Sequence, residues 1–188
     1  MKYHYLTAIF SCALAVSSCR ESDPKVETSD PAVDLDPRIS AVFLDESPGE
    51  AILVSEARRS ATPGETLVIE GKIAGVMSPF TEGYASAVLS NETLRTCDLI
   101  PEDECPTPWD ACCEAPEVIS AQVMTMQISG DDGLPVAEGL KGVKGLKELD
   151  SLVVVGTVNE SSTPENLILD LSGIFQKPAV LTEASAAE

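Results

Sequence analysis

Residues 97–113 read CDLIPEDECPTPWDACC and form the most distinctive stretch of this 188-residue sequence. The stretch holds four of the six cysteines, the only tryptophan and three prolines. Proline removes a backbone donor and interrupts both helices and central strands. Apolar segments that resemble β-strands lie on both sides of the stretch. The sequence therefore predicts a long, irregular cysteine loop inserted into a β-sheet domain.

Five segments have the apolar alternation or β-branched content that is typical of strands. The strands are predicted over residues 65–76, 84–89, 118–128, 152–158 and 166–175. Between the third and fourth strands, residues 136–149 place leucine and valine at helical spacing, but three glycines weaken a helix by about 1 kcal/mol each. This segment therefore predicts a broken helix or a single helical turn.

The order of these elements is strand, strand, strand, weak helix, strand, strand. This is the order of the oligonucleotide/oligosaccharide-binding (OB) fold, a small five-stranded barrel. Gly71, in the middle of the first strand, fits the sharp coiling that closure requires. We therefore predict an all-β, OB-like five-stranded barrel over residues 41–176. It has a short helix or helical turn between strands 3 and 4, and the cysteine loop 97–113 between strands 2 and 3.

The N-terminus has the composition of an export signal over residues 1–18, with Lys2, an apolar run and then small residues. The apolar run is too short to span a bilayer as a helix. The segment 16–19, VSSC, resembles the lipobox of bacterial lipoproteins. That resemblance implies cleavage before Cys19, acylation of Cys19 and anchoring in the membrane by two or more acyl chains. The alternative is ordinary cleavage that leaves Cys19 as a thiol.

Two further segments are predicted to lie outside the folded domain. Residues 19–40 are polar, with three prolines and six acidic residues, and predict a disordered spacer between the membrane and the barrel. Residues 177–188 predict a flexible tail. These features together predict a lipid-anchored protein of the cell envelope that faces the periplasm or the cell surface.

Three motifs within residues 51–176 carry a family resemblance. They are CPTPWDACC at 105–113, the strand entry PGETLVIEGKI at 63–73, and VVVGTV at 153–158. The region resembles a group of small, uncharacterised OB-fold-like lipoproteins of planctomycetes and their relatives. The cysteine motif is the specific part of the match. The resemblance implies a location and a fold, and it implies no activity.

The cysteine loop has three chemical interpretations. Four cysteines in an exported protein predict two disulfides, in which Cys97 and Cys105 pair with Cys112 and Cys113 in an order left open. Trp109 then folds onto the barrel as an apolar plug. The second interpretation is a metal site of the four thiolates, although the spacing is not that of a zinc finger or a ferredoxin. The third is thiol redox exchange, which the surrounding acidic residues oppose because negative charge raises thiol pKa.

The formal charge is −19, from 31 acidic against 12 basic residues, and such a surface repels nucleic acid. His4 is the only histidine and lies in the predicted leader, which excludes Ser-His-Asp and Cys-His catalysis as well as histidine zinc sites. We therefore predict a chain that is not an enzyme and has no cofactor.

The aromatic side chains supply a candidate binding surface. Trp109, Tyr84 and Phe80 could form a stacking surface for a sugar or a peptide, as the alternative to the plug that is favoured for a sole tryptophan between prolines. The resulting prediction is a lipid-anchored, non-catalytic binding or structural module, with an envelope protein or a glycan as its partner. The alternative is a metal-binding or thiol redox protein that uses Cys97, Cys105, Cys112 and Cys113.

Overall fold

The computed structural model describes residues 35–102 and 104–178. The predicted signal peptide, Cys19, most of the predicted spacer and most of the predicted tail lie outside these residues. In the part of the chain that the structure describes, no helix has the length and apolar character needed to cross a membrane.

The described chain contains six strands, three short helices and two 3₁₀ turns. The strands are β1 (Ile52–Leu53), β2 (Thr66–Lys72), β3 (Ser86–Ser90), β4 (Val123–Gln127), β5 (Ser151–Val158) and β6 (Ile168–Gln176). The helices are α1 (Pro37–Ala41), α2 (Val54–Ser60) and α3 (Pro116–Ser120), and the 3₁₀ turns are Cys97–Leu99 and Val143–Gly145.

Five of the strands close into a barrel. The hydrogen-bonded order runs β2, β3, β4, β6, β5 and back to β2. The closing pair, β2 with β5, is antiparallel over the full length of β2, whereas β4 and β6 are parallel. Strand β1 adds two residues in parallel beside β2. The predicted all-β, OB-like five-stranded barrel is confirmed, and the cysteine loop does lie between its second and third strands.

Glycines allow the barrel strands to approach one another closely. A Cβ atom on Gly71 would lie 2.3 Å from the carbonyl oxygen of Ser90, and one on Gly156 would lie 2.4 Å from that of Asp170. Between β5 and β6 the register shifts next to Gly156, which forms a β-bulge. Bulges and strand glycines increase the coiling that closes a small barrel.

The core is aliphatic, because the chain has few aromatic residues to contribute. Among the described residues, every fully buried large side chain is Ile, Leu or Met. They come from the strands, from helix α1 and from loops, for example Ile69 in β2, Ile39 in α1 and Leu146 before β5.

The domain begins earlier than predicted, which corrects the assignment of residues 35–40 to the disordered spacer. Asp36 caps helix α1 by accepting a hydrogen bond from the backbone N of Arg38 at 2.8 Å, and Pro37 starts the helix. Ile39 is fully buried in the core. The signal was missed because a single buried isoleucine in a short, polar helix leaves no periodic pattern.

Two other boundaries differ in detail from the sequence prediction. Residues 116–120 form helix α3, with Pro116 at its first turn, so the third barrel strand begins at Val123 and not at residue 118. In the segment 136–149, the helical content is only the 3₁₀ turn Val143–Gly145. Leu140 and Leu146, two of the apolar residues at helical spacing, are buried, although the segment that carries them is an irregular loop. The predicted helical turn is therefore confirmed in its shortest form.

Candidate thiol site and adjacent groove

Backbone hydrogen bonds hold the two arms of the cysteine loop together. The N–H of Cys97 donates to the carbonyl of Asp110 at 2.8 Å, and the N–H of Asp98 donates to that of Pro108 at 2.8 Å. A third bond ties the loop to the barrel, because the N–H of Gly75 donates to the carbonyl of Trp109 at 2.8 Å. Proline-rich backbone has few donors, so these bonds fix the loop without regular secondary structure.

The folded loop brings three of the four cysteines together. The sulfur atoms of Cys97, Cys105 and Cys112 all lie within 4.8 Å of one another. The Sγ atoms of Cys97 and Cys112 are 3.5 Å apart. Cys97 is buried, Cys105 is half-buried and Cys112 is exposed, so the cluster reaches from the barrel wall to the solvent. Cys113 is exposed and does not belong to the group.

No disulfide joins Cys97, Cys105, Cys112 and Cys113 in this structure, which corrects the prediction of two crosswise bridges. An S–S bond is about 2.05 Å long, so the 3.5 Å between Cys97 and Cys112 is a contact between two thiols. The adjacent residues Cys112 and Cys113 do not both enter the cluster. The loop therefore forms one group of three sulfurs instead of two pairs.

The environment of Cys97 and Cys112 raises the pKa of both thiols. Burial raises the pKa of the Cys97 thiol strongly, and its contacts with Cys112 and Cys105 raise it further. At Cys112 the hydrogen bond with Cys97 lowers the pKa, but desolvation and the neighbouring Cys113 and Asp110 outweigh it, so the net pKa is raised. Redox catalysts need a low-pKa attacking thiol. Cys97 and Cys112 have the opposite character.

A buried lysine hydrogen-bonds to Thr96, the residue before Cys97, which the sequence pattern did not indicate. Lys72 follows the alternation of β2 as a polar-face residue, but it is 6% exposed. Its Nζ donates to Thr96 Oγ1 at 2.8 Å, and Thr96 donates onward to Asp98. Desolvation lowers the pKa of Lys72, although the charges of Asp98 and Glu92 oppose that shift. The lysine is buried by tertiary packing, and no local sequence pattern predicts its burial.

A groove of about 420 Å³ opens beside the loop. Trp109 and Phe80 line it together with Met77, Lys141 and Glu148. The indole Nε1 of Trp109 donates to the carbonyl of Met77 at 3.0 Å. The ammonium of Lys141 lies 5.9 Å from the centre of the Trp109 ring, and it also pairs with Glu148. Aromatic, apolar and charged groups thus meet in one open site.

The structure supports two of the three predicted aromatic residues as groove residues. Phe80 and Trp109 line the groove, whereas Tyr84 is 48% exposed and does not belong to the groove lining. Trp109 is half-buried, so it does not act as a fully buried plug over the barrel.

Comparisons with known proteins give no match: no family model fits the sequence, and neither a curated protein nor a solved structure resembles the chain significantly. The resemblance of the cysteine motif to planctomycete-type lipoproteins therefore stays a prediction.

Proposed function

We propose that this chain is a lipid-anchored, non-catalytic binding module of the cell envelope. Cys19 is the proposed anchor, the polar segment that follows it is the tether, and the OB-like barrel is the binding domain. The observation that carries the binding role is the groove in which Trp109 of the cysteine loop meets Met77 and Phe80 of the β2–β3 connection.

The position of the groove fits the way OB barrels bind ligands. In this fold, the connection between the first two barrel strands contributes to the site for oligonucleotides or oligosaccharides. Residues 77–83 of that connection form one wall of the groove here. The formal charge of −19 opposes a polyphosphate ligand. A neutral glycan, or a peptide segment of an envelope protein, is the proposed class of partner.

The chemistry of the groove suits a saccharide. The Trp109 ring offers an apolar face for stacking against a sugar ring. Lys141 and Glu148 form an ion pair on the same groove, and their charged groups supply a donor and an acceptor for hydroxyls. A few polar groups on a mostly apolar surface are typical of small-ligand sites.

The anchor is tested by phase partition of the expressed protein in Triton X-114. We expect the wild-type chain in the detergent phase and the Cys19→Ser variant in the aqueous phase, because the thiol that carries the lipid is lost. Cys12→Ser, within the predicted leader, is the matched control and should partition like the wild type. Wild-type protein that partitions into the aqueous phase would refute the anchor.

The binding role is tested with the fluorescence of Trp109, the only tryptophan in the chain. We expect soluble, uncharged oligosaccharides to change its emission saturably. Lys141→Met should weaken the response, whereas Lys147→Met, which removes an exposed lysine outside this groove, should leave it intact. If the emission stays unchanged, a photo-crosslinker at Met77 in cells decides between a protein partner and an empty groove.

The rival function is a metal-binding or thiol redox protein, and the cluster of Cys97, Cys105 and Cys112 specifically favours its metal-binding form. The raised pKa values of Cys97 and Cys112 oppose the redox form, since a thiol that stays protonated is a poor nucleophile.

A further inference from the structure

We propose that Cys97, Cys105 and Cys112 form a three-sulfur site for one thiolate-seeking d¹⁰ metal ion, Zn²⁺ or Cu⁺. Cys113 is not a ligand in this site. The proposal differs from a four-thiolate site, because the folded loop selects three of the four cysteines. It depends neither on the lipid anchor nor on the groove at Trp109.

The distances between the sulfurs suit an ion better than a disulfide. A zinc–sulfur bond is about 2.3 Å long, so two sulfurs on one tetrahedral ion lie roughly 3.8 Å apart. The three sulfurs lie within 4.8 Å of one another, and the Sγ atoms of Cys97 and Cys112 are 3.5 Å apart. Small side-chain rotations bring all three onto one centre. A disulfide would require one pair to move together to about 2.05 Å and would involve only two of the three sulfurs.

The donor set determines the class of ion. Within residues 35–102 and 104–178, no carboxylate or imidazole joins the three sulfurs as a ligand group. Calcium and magnesium require oxygen ligands, whereas thiolates select Cu⁺ and Zn²⁺. Three sulfurs alone can coordinate Cu⁺, while Zn²⁺ completes a tetrahedron with a water molecule. The exposed side chain of Cys112 provides the path by which the ion enters.

The fold orders the site before an ion arrives. Cys97 is 3% exposed and fixed by its backbone bond to Asp110. Cys105 contacts Thr107 through its sulfur, at 3.7 Å from the carbonyl and 3.5 Å from the hydroxyl. Ligand side chains that are already held by such additional contacts lose less conformational entropy when the ion binds. The bound ion would brace the loop.

Binding replaces each sulfur–hydrogen bond by a sulfur–metal bond. Three thiols lose three protons to the solvent and become three thiolates on one ion, without any change of oxidation state. The bound cation offsets part of the negative charge of the three thiolates.

The test uses the full-length chain with Cys12→Ser and Cys19→Ser, so that only the four loop thiols remain. The protein is reduced under argon and titrated in separate arms with Zn²⁺ and with Cu⁺ against a chromophoric chelator. We expect one ion per chain by native mass spectrometry and about three protons released per ion. The arm with the tighter binding identifies the preferred ion.

Single substitutions identify the ligands. Binding should be weakened by more than about 100-fold in each of the variants Cys97→Ser, Cys105→Ser and Cys112→Ser. This is a larger loss than substitutions of residues that only surround metal ligands typically cause. Cys113→Ser is the matched control and should bind like its parent. Equal losses in all four variants would overturn the three-ligand assignment, and unchanged binding in all four would overturn the site.

Alkylation of the parent chain gives a readout that does not depend on any variant folding. With the ion bound, Cys97, Cys105 and Cys112 should be protected from iodoacetamide, while Cys113 reacts. Reaction at all four positions would contradict the proposal. So would a Cys97–Cys112 disulfide, without metal, in protein isolated directly from cells; neither result would affect the proposed anchor or groove.

Discussion

The indole Nε1 of Trp109 donates a hydrogen bond to the backbone carbonyl of Met77 at 3.0 Å. This bond joins one arm of the cysteine loop to the β2–β3 connection, and the Gly75 N–H donates a second bond to the carbonyl of the same Trp109. Side chain and backbone of one residue thus attach the loop to the barrel. The groove beside the loop depends on this attachment.

Replacing Trp109 by Phe should lower the free energy of unfolding by about 1 kcal/mol, because one hydrogen bond is lost while an aromatic ring is kept. Urea unfolding followed by circular dichroism measures the change. Tyr84→Phe is the control, since it removes a hydroxyl from an exposed side chain. Equal stability of Trp109→Phe and the wild type would show that the bond to Met77 contributes nothing.

Alanine at Gly71 should destabilise the barrel by about 1–3 kcal/mol or more, because its Cβ would lie 2.3 Å from the Ser90 carbonyl oxygen. Neither strand can move apart without loss of pairing. Gly139→Ala is the matched control, since the nearest atom to its Cβ is 3.9 Å away. Thermal unfolding of the two variants should separate them clearly, and similar melting temperatures would contradict the close approach of β2 and β3.

Ile39→Ala should lower the free energy of unfolding by about 2–5 kcal/mol, the usual loss when a fully buried isoleucine is truncated. Leu134→Ala, at a side chain that is 63% exposed, should change it by less than about 0.5 kcal/mol. Denaturant unfolding compares the two. If Ile39→Ala left the free energy of unfolding unchanged, helix α1 would belong to the spacer and the domain would begin at residue 41, as predicted.

Lys72 should make stability rise with pH below its ordinary pKa of 10.5. Burial lowers its pKa in the folded chain, so between the lowered value and 10.5 the unfolded state binds a proton that the folded state does not. Raising the pH through this window favours folding. Cys97 has the opposite effect on stability. Its pKa is raised in the folded chain, so the unfolded chain loses this proton first as the pH rises, and the higher pH favours unfolding.

Comparing variants isolates the lysine from the cysteine. Lys72→Met should be more stable than the wild type near pH 7, because no charge is buried, and this advantage should shrink as the pH rises toward 10.5. Urea unfolding under reducing conditions between about pH 7 and 10 measures the difference. Lys144→Met, at an exposed position, should differ from the wild type by a constant amount. A constant difference for Lys72→Met as well would refute the shifted pKa.

The strand order was predictable because alternation and β-branched content are local properties. Residues 66–72 and 151–158 show the pattern directly, and both form the predicted barrel strands. Helix α1 was missed because its core contribution is one side chain, Ile39, whose burial depends on the barrel around it. Residues 118–120 gave a strand pattern but form helix α3, since Pro116 starts a helical turn there.

The sequence by itself determined the all-β barrel, its strand order, and the place of the cysteine loop between the second and third barrel strands. It also named Trp109, Phe80 and Tyr84 as candidates for one surface, of which Tyr84 lies outside the groove. Only the tertiary structure decided that Cys97, Cys105 and Cys112 form one group without Cys113, and that Lys72 is buried. Periodicity is a property of the local sequence, whereas these contacts depend on how distant segments pack, which no local pattern predicts.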